Sequence, residues 1–204
     1  MNARKCDRSG FCVEPMSEHK IQDAANIIRR LFYPVGHKYV DVIDLIERKL
    51  PFAFEGFNYE VVESNELPDR EAEMNPYEYC IRMRTSVYEG ACNHDGRSRF
   101  TIAHELGHFF LHRNQTVAFG RPAEDGQIPA FRHSEWQADT FARNLLAPIY
   151  LAKGLSVPSI AAVFEVSKEV ATIVYRESSQ QVSPLIMDTT STIQCVLPGF
   201  EGLC

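Results

Sequence analysis

The sequence lacks the features that mark membrane proteins, exported proteins and general nucleic-acid binders. It contains no apolar run of about eighteen residues or more, so no membrane span is predicted. The opening stretch "MNARKCDRSGFCVEP" has basic residues but no apolar segment behind them, which argues against a secretory signal. The formal net charge is −6, whereas a protein that binds nucleic acid through its whole surface is normally basic. We therefore expect no membrane contact and no direct nucleic-acid binding.

The sequence also lacks any C-x-x-C pair, although it has six cysteines. A metal or disulfide role for Cys6 and Cys12 stays open on their spacing alone. Without an export signal, the default is reduced thiols, and we expect a cytoplasmic location.

The chain of 204 residues with 45% hydrophobic content fits one globular domain with small additions. We predict four regions along it. They are a flexible arm over residues 1–16, a main domain over 17–150, a pair of helices packed on it over 151–179, and a tail over 180–204.

Hydrophobic periodicity predicts the elements of the main domain. Proline residues mark three of the expected helix ends, at Pro34, Pro51 and Pro148. The expected helices cover 17–33, 39–50, 98–113 with Ser98 as N-cap, and 134–147; the expected strands cover 58–63 and 77–89, with a polar loop at 65–76 between them.

The stretch "FTIAHELGH", residues 100–108, carries the strongest chemical signal. His104 and His108 are four residues apart and share one face of a helix, so they can offer two imidazole nitrogens to one metal ion. Glu105 lies about 100° around the axis, where a general base would flank the ligands. Gly107 costs about 1 kcal/mol in a helix interior, so its presence suggests a compensating contact.

A third metal ligand must come from elsewhere in the chain. Leu111 and Asn114 occupy the positions of the glycine and the third histidine of the extended H-E-x-x-H motif, which excludes that type. His112 continues the i+4 series, but three histidines along one helix cannot converge on a tetrahedral ion. Glu135 and Asp139 share a face of the next helix; one carboxylate can bind the ion while the other accepts the N–H of a ligand histidine.

Together these segments resemble the ImmA/IrrE-type metallopeptidases. The family pattern is a basic residue followed by "RFTLAHELGH" and then by "E-x-E-A-D/N-x-F-A-x-x-LL-x-P". The matching residues are Arg99, Phe100, His104, Glu105, Leu106, Gly107 and His108 in the first segment, and Glu135, Ala138, Asp139, Phe141, Ala142, Leu145, Leu146 and Pro148 in the second.

The resemblance implies roles for these residues. His104, His108 and Glu135 would be the metal ligands, Glu105 the catalytic base, and Asp139 the partner of a ligand imidazole. Gln137 departs from the family, which usually has a second glutamate there. The implied fold is α+β and zincin-like, with a small mixed β-sheet beside the HExxH helix and mostly helical surroundings.

The resemblance also implies a function. The chain would be a zinc-dependent endopeptidase, with Mn²⁺ as the other metal that suits the ligands. Family members mostly cleave a helix-turn-helix repressor, and others are paired with an antitoxin, so the expected partner is a protein of that kind.

Two parts of a peptidase site remain open in the sequence. The donor that would stabilise an oxyanion has three candidates, Tyr88, His94 and His133. An extended substrate is expected to pair with an exposed edge of the strand before the motif helix, where Arg82 and Arg84 share a face and, like Tyr88, are candidate substrate-binding residues.

Other functions compete with the peptidase. Residues 159–178 resemble a helix-turn-helix with a turn at Glu165–Val166 and Ser167 as N-cap, which would fit a DNA-binding regulator. A non-catalytic toxin or binding module could keep the zincin fold and act by contact alone. A latent enzyme is a further alternative, with a thiolate of Cys6 or Cys12 on the metal.

Overall fold

The computed structural model describes residues 10–75, 77–113 and 128–180. In these ranges it consists of helices around a three-stranded sheet, which is compatible with an α+β fold. The helices are α1 (Glu18–Phe32), α2 (Val42–Asp44, Leu45–Lys49 and Leu50–Ala53, which run on continuously), α3 (Thr85–Cys92), α4 (Gly96–His112), α5 (Ser134–Leu146), α6 (Ile149–Ala152), α7 (Val157–Phe164) and α8 (Lys168–Gln180). The strands are β1 (Asn58–Val62), β2 (Ala72–Asn75) and β3 (Cys80–Arg84), and a 3-10 turn, Ala130–Arg132, precedes α5.

The sheet is mixed and has the order β1-β3-β2. β3 pairs in parallel with β1 and antiparallel with β2, so β3 is central. β2 forms the edge that lies against α4, the helix that carries the HELGH motif. The small mixed sheet beside this helix is confirmed.

The helix α1 follows its sequence signals closely. The Ser17 side chain accepts the N–H of Lys20 as an N-cap, and Ile21, Ala24, Ala25 and Ile28 are fully buried at helical spacing. The helix ends before Pro34, as predicted.

Pro51 does not end α2, contrary to the prediction. The helix continues to Ala53, and its middle section is a π-helical turn in which the N–H of Leu50 bonds the carbonyl of Leu45. A proline cannot donate to the ladder and crowds the preceding turn. Here it follows the widened turn and sits at the start of the last helical segment, where its missing N–H does little harm.

The secondary structure predicted from the sequence is wrong for two segments around the sheet. β2 lies inside the stretch predicted to be a polar loop; it is only four residues long, and its antiparallel pairing with the next strand, β3, supplies its hydrogen bonds. The strand predicted over 77–89 is only five residues long, and the chain turns into α3 at Thr85. Val87 and Ala91 are buried four residues apart, so this half of the segment has a helical period.

The motif helix α4 begins three residues earlier than the expected N-cap at Ser98 implied. Asp95, not Ser98, is its N-cap, and the carboxylate accepts the backbone N–H of Ser98 at 2.8 Å and its hydroxyl at 2.7 Å. Aspartate suits this position because it satisfies free N–H groups and favours the positive end of the helix dipole.

A close approach of α4 and α5 sets the geometry of the core. A Cβ atom at Gly107 would lie 2.9 Å from the Ala138 Cα and 3.0 Å from its carbonyl oxygen. The backbones therefore meet at a distance that only glycine permits. This contact is the compensation that the sequence suggested for a glycine inside the helix.

Arg99 of α4 forms hydrogen bonds to the end of α7, the first of the two C-terminal helices. Its side chain is fully buried and donates to the carbonyls of Phe164 (2.9 Å), Val40 (2.7 Å) and Glu165. Glu165 has a left-handed backbone between α7 and α8, and the Ser167 hydroxyl accepts the N–H of Val170, so the predicted turn and N-cap are confirmed. The helices of 151–179 are thus packed on the main domain.

Residues 10–16 do not form the flexible arm that was expected. The backbone of Val13 bonds Arg132 at 2.9 Å and that of Met16 bonds Phe131 at 2.9 Å, while Phe11 and Ser134 exchange two bonds. These long-range bonds attach the segment to the start of α5.

Residues 1–9 and the tail from 181 lie outside the described residues. No helix in the described ranges is long and apolar enough to cross a membrane.

Substituting Gly107 tests the close approach of the two helices. We expect Gly107→Ala to lower the free energy of unfolding by about 1–2 kcal/mol, because overpacking against the Ala138 backbone outweighs the better helix propensity of alanine. Urea unfolding monitored by circular dichroism measures the change.

Thr101→Ala on the same helix is the matched control, since the exposed Thr101 hydroxyl, among the described residues, donates to the Arg97 carbonyl one turn earlier in the helix. It should change stability by no more than about 0.5 kcal/mol. A Gly107→Ala variant as stable as the wild type would contradict the argument.

Candidate metal centre

Two helices bring the predicted ligands together. The Nε2 atoms of His104 and His108 lie 3.1 Å apart on α4. The Glu135 carboxylate on α5 lies 3.2 Å from the Nε2 of His104 and 3.4 Å from that of His108. In the described ranges these three form a group whose ligand atoms all lie within 4.8 Å of one another.

Each histidine is held through its other ring nitrogen. His104 Nδ1 lies 2.9 Å from the Asp139 carboxylate, one turn beyond Glu135 on α5. His108 Nδ1 lies 3.0 Å from His112 Nδ1. Both rings therefore turn their Nε2 atoms toward Glu135, as expected of imidazoles that bind one ion.

The carboxylates around His104 dominate its electrostatics. Burial opposes a charged ring, but hydrogen bonds to Asp139 and Glu135 outweigh it and raise the pKa of His104 to about 10. Burial also opposes the charge on Glu135, yet its two histidine contacts hold the pKa of that carboxyl well below its usual range. The site therefore collects negative charge close to the imidazoles.

Glu105 lies beside the ligand group and does not join it. Its side chain is only 7% exposed, and burial raises its pKa, while the nearby His108 and His104 oppose the rise. The backbone N–H of Met74 in β2 hydrogen-bonds the carboxylate and links it to the sheet edge. A buried carboxylate with a raised pKa is a stronger base than a free glutamate.

The donor set fits a divalent metal. Two imidazoles and one carboxylate are the protein ligands of many catalytic zinc sites, which leave a further position open. The Nδ1 atoms already have partners within the chain, so the Nε2 atoms and Glu135 are the groups left to bind an ion.

The three candidates for an oxyanion donor lie elsewhere. Tyr88 donates its hydroxyl to the Glu47 carboxylate at 2.5 Å, and Tyr59 donates to the same carboxylate oxygen at 3.2 Å. His94 bonds Glu165 at 2.8 Å on the surface. His133 is buried just before α5, and its Nδ1 has no hydrogen-bond partner in the described part of the chain. No described contact joins any of them to the ligand group.

The expectation of an exposed edge on the strand before the motif helix is wrong. β3 has a neighbour on both sides, so its backbone cannot accept a substrate strand. Arg82 pairs with Glu60, Glu66 and Glu73. Arg84 donates to the carbonyls of Leu67 and Pro68. These arginines have partners within the chain, and their role toward a substrate, like that of Tyr88, stays a prediction.

The edge beside the site belongs to β2. Glu71 accepts the N–H of Arg84, so the alternate residues Ala72 and Met74 point their backbone groups away from β3. The Met74 N–H accordingly reaches Glu105.

The described cysteines do not reach the metal centre. Cys12 forms a β-bridge with His133, but no cysteine belongs to the ligand group within the described ranges. Cys6, and the loop over 114–127, lie outside the described residues.

Sequence reasoning missed how Gln137 and His112 contribute. Gln137 is fully buried, and its Oε1 lies 3.0 Å from His112 Nε2. Gln137 thus stands away from the ligands, and its departure from the family pattern leaves them in place. Gln137 comes two residues after Glu135, about 200° around the helix, so the spacing placed it off the ligand face but could not identify its partner.

The class that this site defines is a metallopeptidase with an H-E-x-x-H helix and a glutamate from a following helix. The family described as the IrrE N-terminal-like domain, a peptidase family, matches residues 68–173, more than half of the chain. The chain belongs to this family, and the resemblance to the ImmA/IrrE-type metallopeptidases is confirmed. No curated protein shows a significant match to it.

Removing the carboxylate on His104 should weaken metal binding. We expect Asp139→Ala to lower the zinc affinity roughly 10–100-fold, because the imidazole loses the partner that orients it. Asp139→Asn should lose less, since the amide oxygen still accepts the N–H. Competition with a chromophoric chelator measures both.

Glu55→Ala removes an exposed carboxylate outside the ligand group and serves as the control. An Asp139→Ala affinity equal to that of the control would show that Asp139 does not support the site.

Proposed function

We propose that the protein is a zinc-dependent endopeptidase with a zincin-like catalytic arrangement, which cleaves a specific protein partner. The observation that carries the proposal is the convergence of His104, His108 and Glu135 with the buried Glu105 beside them. Family membership supports a peptidase and the ligand set supports a metal.

The roles of the chain's own groups follow from their positions. His104, His108 and Glu135 hold the metal, which would supply a more acidic water and a polarised scissile carbonyl. Glu105 is the general base of the site, since its carboxylate would accept a proton from the attacking water and would pass it to the leaving amine. The Met74 N–H keeps the carboxylate at the boundary between the ligands and the sheet edge.

The substrate is proposed to bind as an added strand on β2. The outward N–H and carbonyl of Ala72 and the carbonyl of Met74 lie on the edge that adjoins Glu105, which already accepts the Met74 N–H. A strand paired there would bring its peptide bonds past the metal centre.

The partner is proposed to be a helix-turn-helix repressor or an antitoxin-type protein, on the resemblance to the ImmA/IrrE-type peptidases. Manganese is the second metal to test, and zinc is preferred because two imidazoles and a carboxylate suit it.

The described contacts do not favour the DNA-binding alternative. The second helix of the pair, α8, buries Val170, Ala171 and Val174, and its Glu177 pairs with Arg143 of α5. Its exposed cations, Lys168 and Arg176, are each followed directly by a glutamate, Glu169 and Glu177. A reading helix normally brings several Arg, Asn or Gln side chains to the bases.

The Glu105→Gln variant tests catalysis directly. We expect metal-loaded wild type to cut a candidate repressor or antitoxin at one position, and Glu105→Gln to lower the rate at least ~100-fold by loss of the base. Mass spectrometry of the products over time gives the rate and the cleavage position.

The variant should keep its metal and its binding to the partner. Equal cleavage by wild type and Glu105→Gln would point to a contaminating protease and refute the mechanism. Partner binding with no cleavage by either protein would favour the contact module.

The sheet edge has its own test. We expect Ala72→Pro to lower kcat/KM about tenfold or more with unchanged zinc content, because proline removes an outward N–H without breaking the β2–β3 ladder.

The matched control is Val61→Pro on the opposite edge. Its N–H points away from β3 by the parallel register, and its side chain is exposed. Equal kcat/KM losses in the two variants would contradict docking on β2.

A further inference from the structure

Gln137 is held in one orientation by two backbone carbonyls. Its Nε2 donates to Glu14 at 2.9 Å and to Phe131 at 2.9 Å. An amide has two N–H donors on nitrogen, and both are used here. Turning the amide over would set its oxygen against two carbonyl oxygens, so the Oε1 atom must face His112.

The orientation of Gln137 decides which nitrogen of His112 carries the proton. Oε1 can only accept, so the N–H lies on His112 Nε2, at 3.0 Å. The hydrogen-bond partners of His112 in the described contacts are this amide and another imidazole, and neither is a carboxylate. In the neutral ring the Nδ1 atom is then an acceptor.

The same reasoning assigns the position of the proton on His108. Its Nδ1 lies 3.0 Å from the acceptor Nδ1 of His112 and must donate. A neutral His108 with its proton on Nδ1 has a free lone pair on Nε2. That atom faces Glu135 and the Nε2 of His104.

We propose that Gln137 and His112 are positioning residues that hold His108 in the tautomer able to bind metal through Nε2. This inference rests on the metal centre of the proposed function. The chain of bonds begins at the carbonyls of Glu14 and Phe131 and ends at a ligand atom.

The two ligand histidines are therefore oriented by different means. His104 has a carboxylate partner, Asp139, whose side chain is 54% exposed. His108 is oriented by two uncharged side chains in series, His112 and the fully buried Gln137, which we call the relay. The relay makes metal binding depend on the segment 10–16, which bonds the start of α5.

The tautomer can be read in the metal-free full-length chain. Two-bond ¹H–¹⁵N correlation spectra distinguish a protonated from an unprotonated imidazole nitrogen, and single-histidine substitutions assign the His108 signals. We expect the proton on Nδ1 in the wild type. A His108 proton on Nε2 would overturn the proposal.

Substitutions along the relay give the second readout. We expect Gln137→Met and His112→Leu each to mix the His108 tautomers and lower zinc affinity roughly 10–100-fold. His112→Gln should retain much of the zinc affinity that His112→Leu loses, because the glutamine amide oxygen can accept the N–H of His108. His112 is only partly buried at the end of α4, so its variants should fold even where Gln137→Met does not.

Asn144→Leu is the matched control. Asn144 is also a buried amide on α5, but in the described part of the chain its side-chain bond goes to the Thr140 carbonyl within its own helix. The Asn144→Leu variant should have a lower free energy of unfolding than the wild type, with the His108 tautomer and the zinc affinity unchanged.

Wild-type affinity in His112→Leu, or equal affinities in His112→Leu and His112→Gln, would overturn the relay. A wild type that binds no zinc would refute the proposed function instead, and the tautomer spectrum would still decide the relay.

Discussion

The contact of α4 with α5 at Gly107 and Ala138 is the constraint on which the site depends. A side chain at position 107 would meet the Ala138 backbone at 2.9 Å, so the helices approach as closely as a glycine allows. His104 and His108 flank Gly107 on one helix, and Glu135 precedes Ala138 by three residues on the other. The close approach of the backbones brings the carboxylate within 3.4 Å of both imidazoles.

The surroundings of this contact fix what the ligands can do. The sheet edge supplies the Met74 N–H to Glu105, and Asp139 and His112 hold the far side of each imidazole. Burial raises the pKa of Glu105, which makes it a better proton acceptor at the same place. The base and the candidate ligands thus belong to one packed assembly of α4, α5 and β2.

The sequence predicted the parts whose signals are local. The i, i+4 spacing of His104 and His108 and that of Glu135 and Asp139 place these pairs on helix faces, and the structure brings the faces together. The resemblance, and not the spacing, singled out Glu135 as the ligand.

Long-range pairing could not be predicted in the same way. The strand β2, with the sequence "AEMN", alternates over only four positions, which is too short a signal by itself, and the bond from its Met74 N–H to the distant Glu105 joins it to α4. Residues 10–16 are ordered by bonds to a segment more than a hundred positions away. Gln137 appeared as a departure from the family, whereas its partners show a buried amide with every donor used.

Metal content tests the central claim most directly. Elemental analysis of wild type, Glu105→Gln and His104→Ala should find about one zinc or manganese per chain in the first two, with loss in the third, because the proposal makes His104 a ligand and Glu105 the base outside the ligand group. No metal in any of them, even after reconstitution with zinc and with manganese, would contradict the metal centre and the peptidase built on it.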